Sequence, residues 1–137
     1  MASQLKVDTL TGVTTAGSIS VTGEGNSTTT NLQQGLAKVW SSYSGSGTTF
    51  RDSFNCASAT DNGTGDYTNS FISNMNNDDY SISVGIRLDS GANPAYNSRS
   101  VELKTFATGS IRYVGQVGGG SASDYDHTCP QIHGDLA

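Results

Sequence analysis

Residues 60–67, TDNGTGDY, place Asp61, Asn62 and Asp66 within six positions, and carboxylate and carboxamide oxygens are the donors that hold calcium. The intervals are wrong for it. A calcium loop starting at Asp61 needs oxygens at its third, fifth and twelfth positions, where this chain has Gly63, Gly65 and Ile72. The flanking FNCASA and YTNSF alternate as strands do, and Asn62-Gly63 and Thr64-Gly65 supply residues that tolerate left-handed backbone. A hairpin tip is the expectation.

A second cluster closes the chain in DYDHTCPQIHGDLA, where His127, Cys129 and His133 share a strand parity and, with Cys56, are zinc-ligand types. Their H-x-C-x3-H spacing matches no common zinc site, and Pro130 is expected to break the strand between them. The reading is a part-buried cysteine and two strand histidines, with no metal and no cofactor; Cys56 and Cys129 allow at most one intrachain bridge, and assembly in a reducing cytosol would keep them as thiols. Catalysis has no coherent residue set. There is no G-x-S-x-G elbow, Asp78-Asp79 reads as the solvated part of an NNDD turn away from Glu102, and Gly118–Gly120 lacks the lysine and helix of a phosphate loop. No catalytic residue is assigned, and the chain is read as a non-enzyme.

The elements that must position these residues are mostly strands. Phe50, Phe54 and Cys56 share one parity, Tyr67, Asn69 and Phe71 another, and Ile82, Val84, Ile86 and Leu88 form the cleanest period-two face. Val101, Leu103 and Thr105, then Ile111 and Tyr113, follow between turns rich in Gly, Asn, Asp and Ser. Such spacing indicates an all-β fold, an antiparallel β-sandwich or jelly-roll-like domain over residues 31–137. Residues 1–30 read as an extended N-terminal β arm with two short runs, Leu5–Leu10 and Ile19–Val21. Between them and the domain, NLQQGLAKVW offers Asn31 as a cap and Leu32, Leu36 and Val39 at helical spacing: a short helix, or one turn running into a strand at Val39 and Trp40.

Composition narrows the function classes. The net charge of −5 and seven scattered basic residues argue against binding a phosphate backbone. No stretch approaches a membrane span, and MASQLKVDTL lacks an apolar signal core, so neither membrane insertion nor classical secretion is expected. Only 34% of the residues are hydrophobic, which gives a thin core of the kind often completed by association. Leu32, Leu36, Val39 and Trp40 are the candidate trimer contacts, and Tyr80, Tyr96, Tyr113 and Tyr125 lie near expected loops as candidate surface contacts.

LKVDTLTGVTTAGSISVTGEGNSTTTNLQQGLAKVW, then RDSFN, TDNGTGDYTNSF and IHGDLA, together resemble the virion appendage proteins of marine tailed bacteriophages: small tail-fibre-like, head-fibre or capsid-decoration proteins. The resemblance spans nearly the whole chain. Its most specific parts are NLQQGLAKVW and DNGTGDYT, while Cys56 and Asn69 stand where an apolar residue is expected. It implies a homotrimeric structural protein on the particle surface, with an attaching or intertwining N-terminal segment and an outward β-domain. The implied partners are other copies of itself, the major capsid protein or tail and fibre proteins, and a host surface glycan or protein. A secreted or cell-surface adhesin or carbohydrate-binding module is the other class the composition fits.

Overall fold

The computed structural model describes residues 4–13, 19–23, 28–88 and 99–136. The chain divides into two compact units, Met1–Leu36 and Ala37–Ala137. The division falls six residues beyond the expected end of the arm.

In the first unit, β1 (Ser20–Thr22) pairs antiparallel with β2 (Thr29–Asn31), Val21 opposite Thr30. Residues 4–13, expected as a strand around Leu5 and Val7, form none and are exposed throughout. Alternation alone does not make a strand, because the backbone groups need a partner ladder. One helical turn, α1 (Leu32–Gly35), follows; as expected, Asn31 caps it, its Oδ1 accepting from the Gln34 N–H at 3.1 Å. The turn stops at Leu36, which is extended (φ −94°, ψ 141°), so Leu32, Leu36 and Val39 do not share a helix face. No described residue of this unit is buried.

Among its described residues the second unit is all-β, and their strand pairings are all antiparallel. Its strands are β3 (Val39–Tyr43), β4 (Phe50–Phe54), β5 (Cys56–Gly63), β6 (Asp66–Phe71), β7 (Ser81–Arg87), β8 (Ser100–Ala107), β9 (Ser110–Val117), β10 (Ser121–Ala122) and β11 (His127–His133). One sheet runs β4-β3-β11-β7; the other runs β10-β9-β6-β5, with β8 also on β9. Gln116 pairs with both Ser100 of β8 and Ala122 of β10. A residue has only two lateral neighbours, so β10 continues the flank of β9 that β6 occupies.

The parities put the core where the sequence indicates. Tyr67, Asn69 and Phe71 of β6 are buried, and Ile82, Val84 and Ile86 of β7 are the half-buried face of that strand. Phe50, Phe54 and Cys56 separate instead: Asn55 (φ 55°) turns the chain between β4 and β5, leaving Phe54 52% exposed while Cys56 is buried. The left-handed residue resets the alternation. Pro130 does not break β11. The ladder to β7 is continuous from His127 to His133, while the ladder to β3 registers at Thr128, Gln131 and Ile132 and skips Pro130, where the missing N–H costs least.

One core cluster draws on both sheets: Val39, Tyr43 and Ile132 from the first, and Cys56, Tyr67, Phe71, Ile111 and Tyr113 from the second, joined by Met75 and Tyr80 from the loop before β7. Tyr43 meets Tyr67 edge-on across the sheets at 5.8 Å. No helix among the described residues is long and apolar enough to cross a membrane.

Candidate functional site

TDNGTGDY forms the β5–β6 hairpin, and its oxygens are consumed by the turn itself. Asp61 Oδ1 accepts from the Gly63 N–H at 2.8 Å. Asn62 donates to Asp66 Oδ1 at 3.3 Å and to Thr68 Oγ1 at 2.9 Å, and Arg112 donates two bonds of 2.8 Å to the Asp66 carboxylate. The Arg112 bonds hold the Asp66 carboxyl below the usual carboxylate range. Gly65, at φ 69°, has no room for a side chain: a Cβ there would lie 2.6 Å from the Gly115 carbonyl oxygen and the Ser123 nitrogen. Its N–H donates to Asp124 Oδ1 at 2.7 Å, and the Tyr67 hydroxyl donates to the same oxygen at 3.0 Å. Of residues 60–67, only 60–64 are exposed. The far side of the turn is docked on the β9–β11 segment.

His127, Cys129 and His133 do share the outer face of β11, with Gln131 between them. Each is otherwise engaged: His127 Nδ1 lies 3.1 Å from Arg51, Cys129 contacts Ser42 Oγ at 3.7 Å, and His133 meets the Gln131 amide at 2.9 Å. Among the described residues no three His, Cys, Asp or Glu side chains group as a metal set, and both cysteines are free thiols. Burial pushes the Cys56 thiol up, and it donates to the Trp40 carbonyl at 3.4 Å. Asp78 and Asp79 sit in an exposed turn where the Asp79 N–H is bound by Asn77 at 3.0 Å, while Glu102, on β8, accepts from Gln116 at 2.9 Å.

The tyrosine candidates are corrected. Tyr80, Tyr113 and Tyr125 are 6%, 0% and 1% exposed, so they are core residues and unsuited to surface contact; Tyr96 lies outside the described residues. Every described tyrosine is buried with its hydroxyl bonded, and burial raises each above the ordinary phenol range. Two of them share Asn69 as an anchor: its Oδ1 accepts from Tyr43 at 3.0 Å and Tyr113 at 3.2 Å, while its amide donates to Ser41 Oγ at 3.0 Å. The Tyr43 and Tyr113 hydroxyls also contact one another. This hub was not legible from sequence, because a polar residue on a core parity shows only that something must satisfy it.

Of the candidate trimer contacts, Val39 is 1% exposed and belongs to the domain's own core, which removes it. Leu32 is half-buried and Leu36 is 54% exposed, both in the first unit. Trp40 points outward from the four-stranded sheet.

That outer face is the built surface of the β-domain. Directly opposed residues of antiparallel strands share a face, so Phe54, Trp40, Gln131 and Ser83 form one row across all four strands. Beside it runs a row of smaller side chains, Asp52, Ser42, Cys129 and Gly85. Beyond that stand His127 and Arg87, with Arg51, the extra residue of the bulge opposite Ser42 and Tyr43, donating to the Asp126 carbonyl at 3.0 Å. Composition could not show this face, since it depends on register.

No protein family model, curated protein or solved structure matches the chain.

Proposed function

We propose that the chain is a homotrimeric structural protein on the surface of a tailed-bacteriophage particle, a capsid-decoration, head-fibre or tail-fibre protein that stabilises the particle or contacts the host. In this reading the first unit attaches or intertwines, and the second is an outward-facing β-sandwich. The observation that carries it is that no described residue of the first unit is buried: Leu5, Val7, Leu10, Val13, Val21 and Leu36 are all more than half exposed, and Val13 reaches 93%. Apolar surface on that scale in so short a stretch calls for another chain. Neighbouring copies and the particle's shell or fibre proteins are the partners.

The β-domain adds support. Its two sheets share one core, and its large exposed apolar residues number few among those described. Mass spectrometry of purified particles tests the placement. Hundreds of copies identify a decoration protein, a few tens or fewer a fibre, and absence from particles overturns the proposal. Light scattering of the isolated chain tests the trimer, and a monomer with the first unit intact refutes it. The second reading, a secreted or cell-surface adhesin or carbohydrate-binding module, is favoured by the outer face around Trp40, and it predicts the protein in culture medium or on cells with none in particles.

A further inference from the structure

We infer that the outer face of the β4-β3-β11-β7 sheet is a binding site for a saccharide chain, with Trp40 and Phe54 as its stacking surface and the Ser42–Gly85 row as its floor. The inference deepens the host-contact part of the proposed function, yet it stands on the register of this sheet alone. Trp40, the protein's single tryptophan, is half-buried, and Phe54, its cross-strand partner, is 52% exposed. Next to them the floor is low, because Ser42 and Cys129 are small and Gly85 has no side chain. Gln131 lies four positions along β11 from His127, so the open length is about 14 Å at roughly 3.4 Å per residue.

The chemistry of this trough selects its occupant. Sugar rings present C–H faces that lie on aromatic planes, and their hydroxyls both donate and accept, so they need donors and acceptors side by side. Gln131, Ser42 and Ser83 do both, Asp52 accepts and Arg51 donates. Arg51 binds the Asp126 carbonyl and His127 through one guanidinium nitrogen, and the residue is exposed. A second copy of the chain fits poorly, because the centres of subunit interfaces are apolar and this face has only two large apolar side chains. A nucleic acid fits poorly because acids outnumber bases in the chain, 12 to 7.

The test uses the full chain in its native oligomer. An immobilised panel of glucose, galactose, N-acetylhexosamine and uronic-acid oligosaccharides is screened first. Any oligosaccharide that is retained is then titrated in solution against the fluorescence of Trp40. The expected result is retention of at least one probe with a saturable shift of Trp40 emission. Phe54→Ala and Gly85→Gln should each weaken binding by about tenfold or more, the loss of one aromatic contact or of the floor's depth. A Cβ at residue 85 meets only ordinary contacts, the nearest being Cys129 Cβ at 3.8 Å, and the face beyond it is exposed, so an unchanged melting temperature is expected of that variant. Three results overturn the site: no probe retained, binding that neither moves Trp40 emission nor weakens in Gly85→Gln, or a Trp40 that acrylamide reaches only after the oligomer dissociates. The last would make the face an interface between copies. Failure here leaves particle copy number untouched, while sugar binding by a protein absent from particles would support the site and sink the virion assignment.

Discussion

Asn69 carries more of the β-domain than its polarity suggests. It is fully buried and makes three side-chain bonds, to Tyr43, Tyr113 and Ser41, so replacing it with an apolar residue of similar size removes a partner from all three and leaves the two tyrosine hydroxyls only each other. Asn69→Leu is expected to destabilise the domain by about 2–4 kcal/mol, since each buried group left unsatisfied costs roughly 1–3; urea denaturation measures it, and a loss below about 0.5 would show that the hydroxyls pair adequately without Asn69. The tyrosines also set an alkaline limit. Their folded pKa values lie above the unfolded value, so the stabilisation is complete below about pH 10 and is lost as pH rises beyond it. Tyrosinate absorbance should therefore appear in one steep step coincident with loss of β circular dichroism. A gradual titration of a folded protein would contradict the burial. The sequence marked Asn69 as misplaced on a core parity but could not name its partners, which come from β3 and β9, 26 and 44 residues away.

At the scale of elements, the β5–β6 hairpin separates two kinds of glycine. Gly65 combines φ 69° with backbone atoms 2.6 Å from where a Cβ would stand, whereas Gly63, at φ 131°, has nothing within 4 Å. Gly65→Ala should cost more than about 3 kcal/mol or abolish folding, and Gly63→Ala about 1–2, because only backbone strain is added. Equal losses in thermal melts would refute the docking of the tip. The Asp66–Arg112 pair at the base of the turn has the opposite pH sense from the tyrosines. A carboxyl held low contributes above the unfolded aspartate pKa, near 4, and loses that contribution as pH falls through its folded value. Asp66→Asn should lower the melting temperature modestly at pH 7 and not at all once the wild-type carboxyl is protonated. The hairpin was legible because glycines and alternation are local signals. The fate of Leu5–Leu10 was not, since a strand exists only where another backbone accepts its hydrogen bonds, and neither was the run of β11 through Pro130, which depends on which neighbour faces the missing N–H.

For the whole molecule, the division after Leu36 defines the cut that tests the arrangement. A chain beginning at Ala37 is expected to fold with its β spectrum intact, remain monomeric by light scattering and fail to enter particles; retained trimerisation would move the contact surface into the β-domain. Within that domain β3 leaves from, and β11 returns to, the same end, where the Lys38 N–H donates to the Ile132 carbonyl at 2.8 Å and Met75 bridges Leu136. The hairpin tip lies at the other end, by Gly45 and Asp124. The domain thus has the start of β3 and the end of β11 at one end and the β5–β6 tip at the other. For protein engineering, cargo fused after Leu136 would emerge at the end of the domain where β3 begins, whereas a peptide epitope spliced into the exposed 61–64 segment would be carried at the opposite end of the domain, with Gly65 as the boundary the graft must not cross.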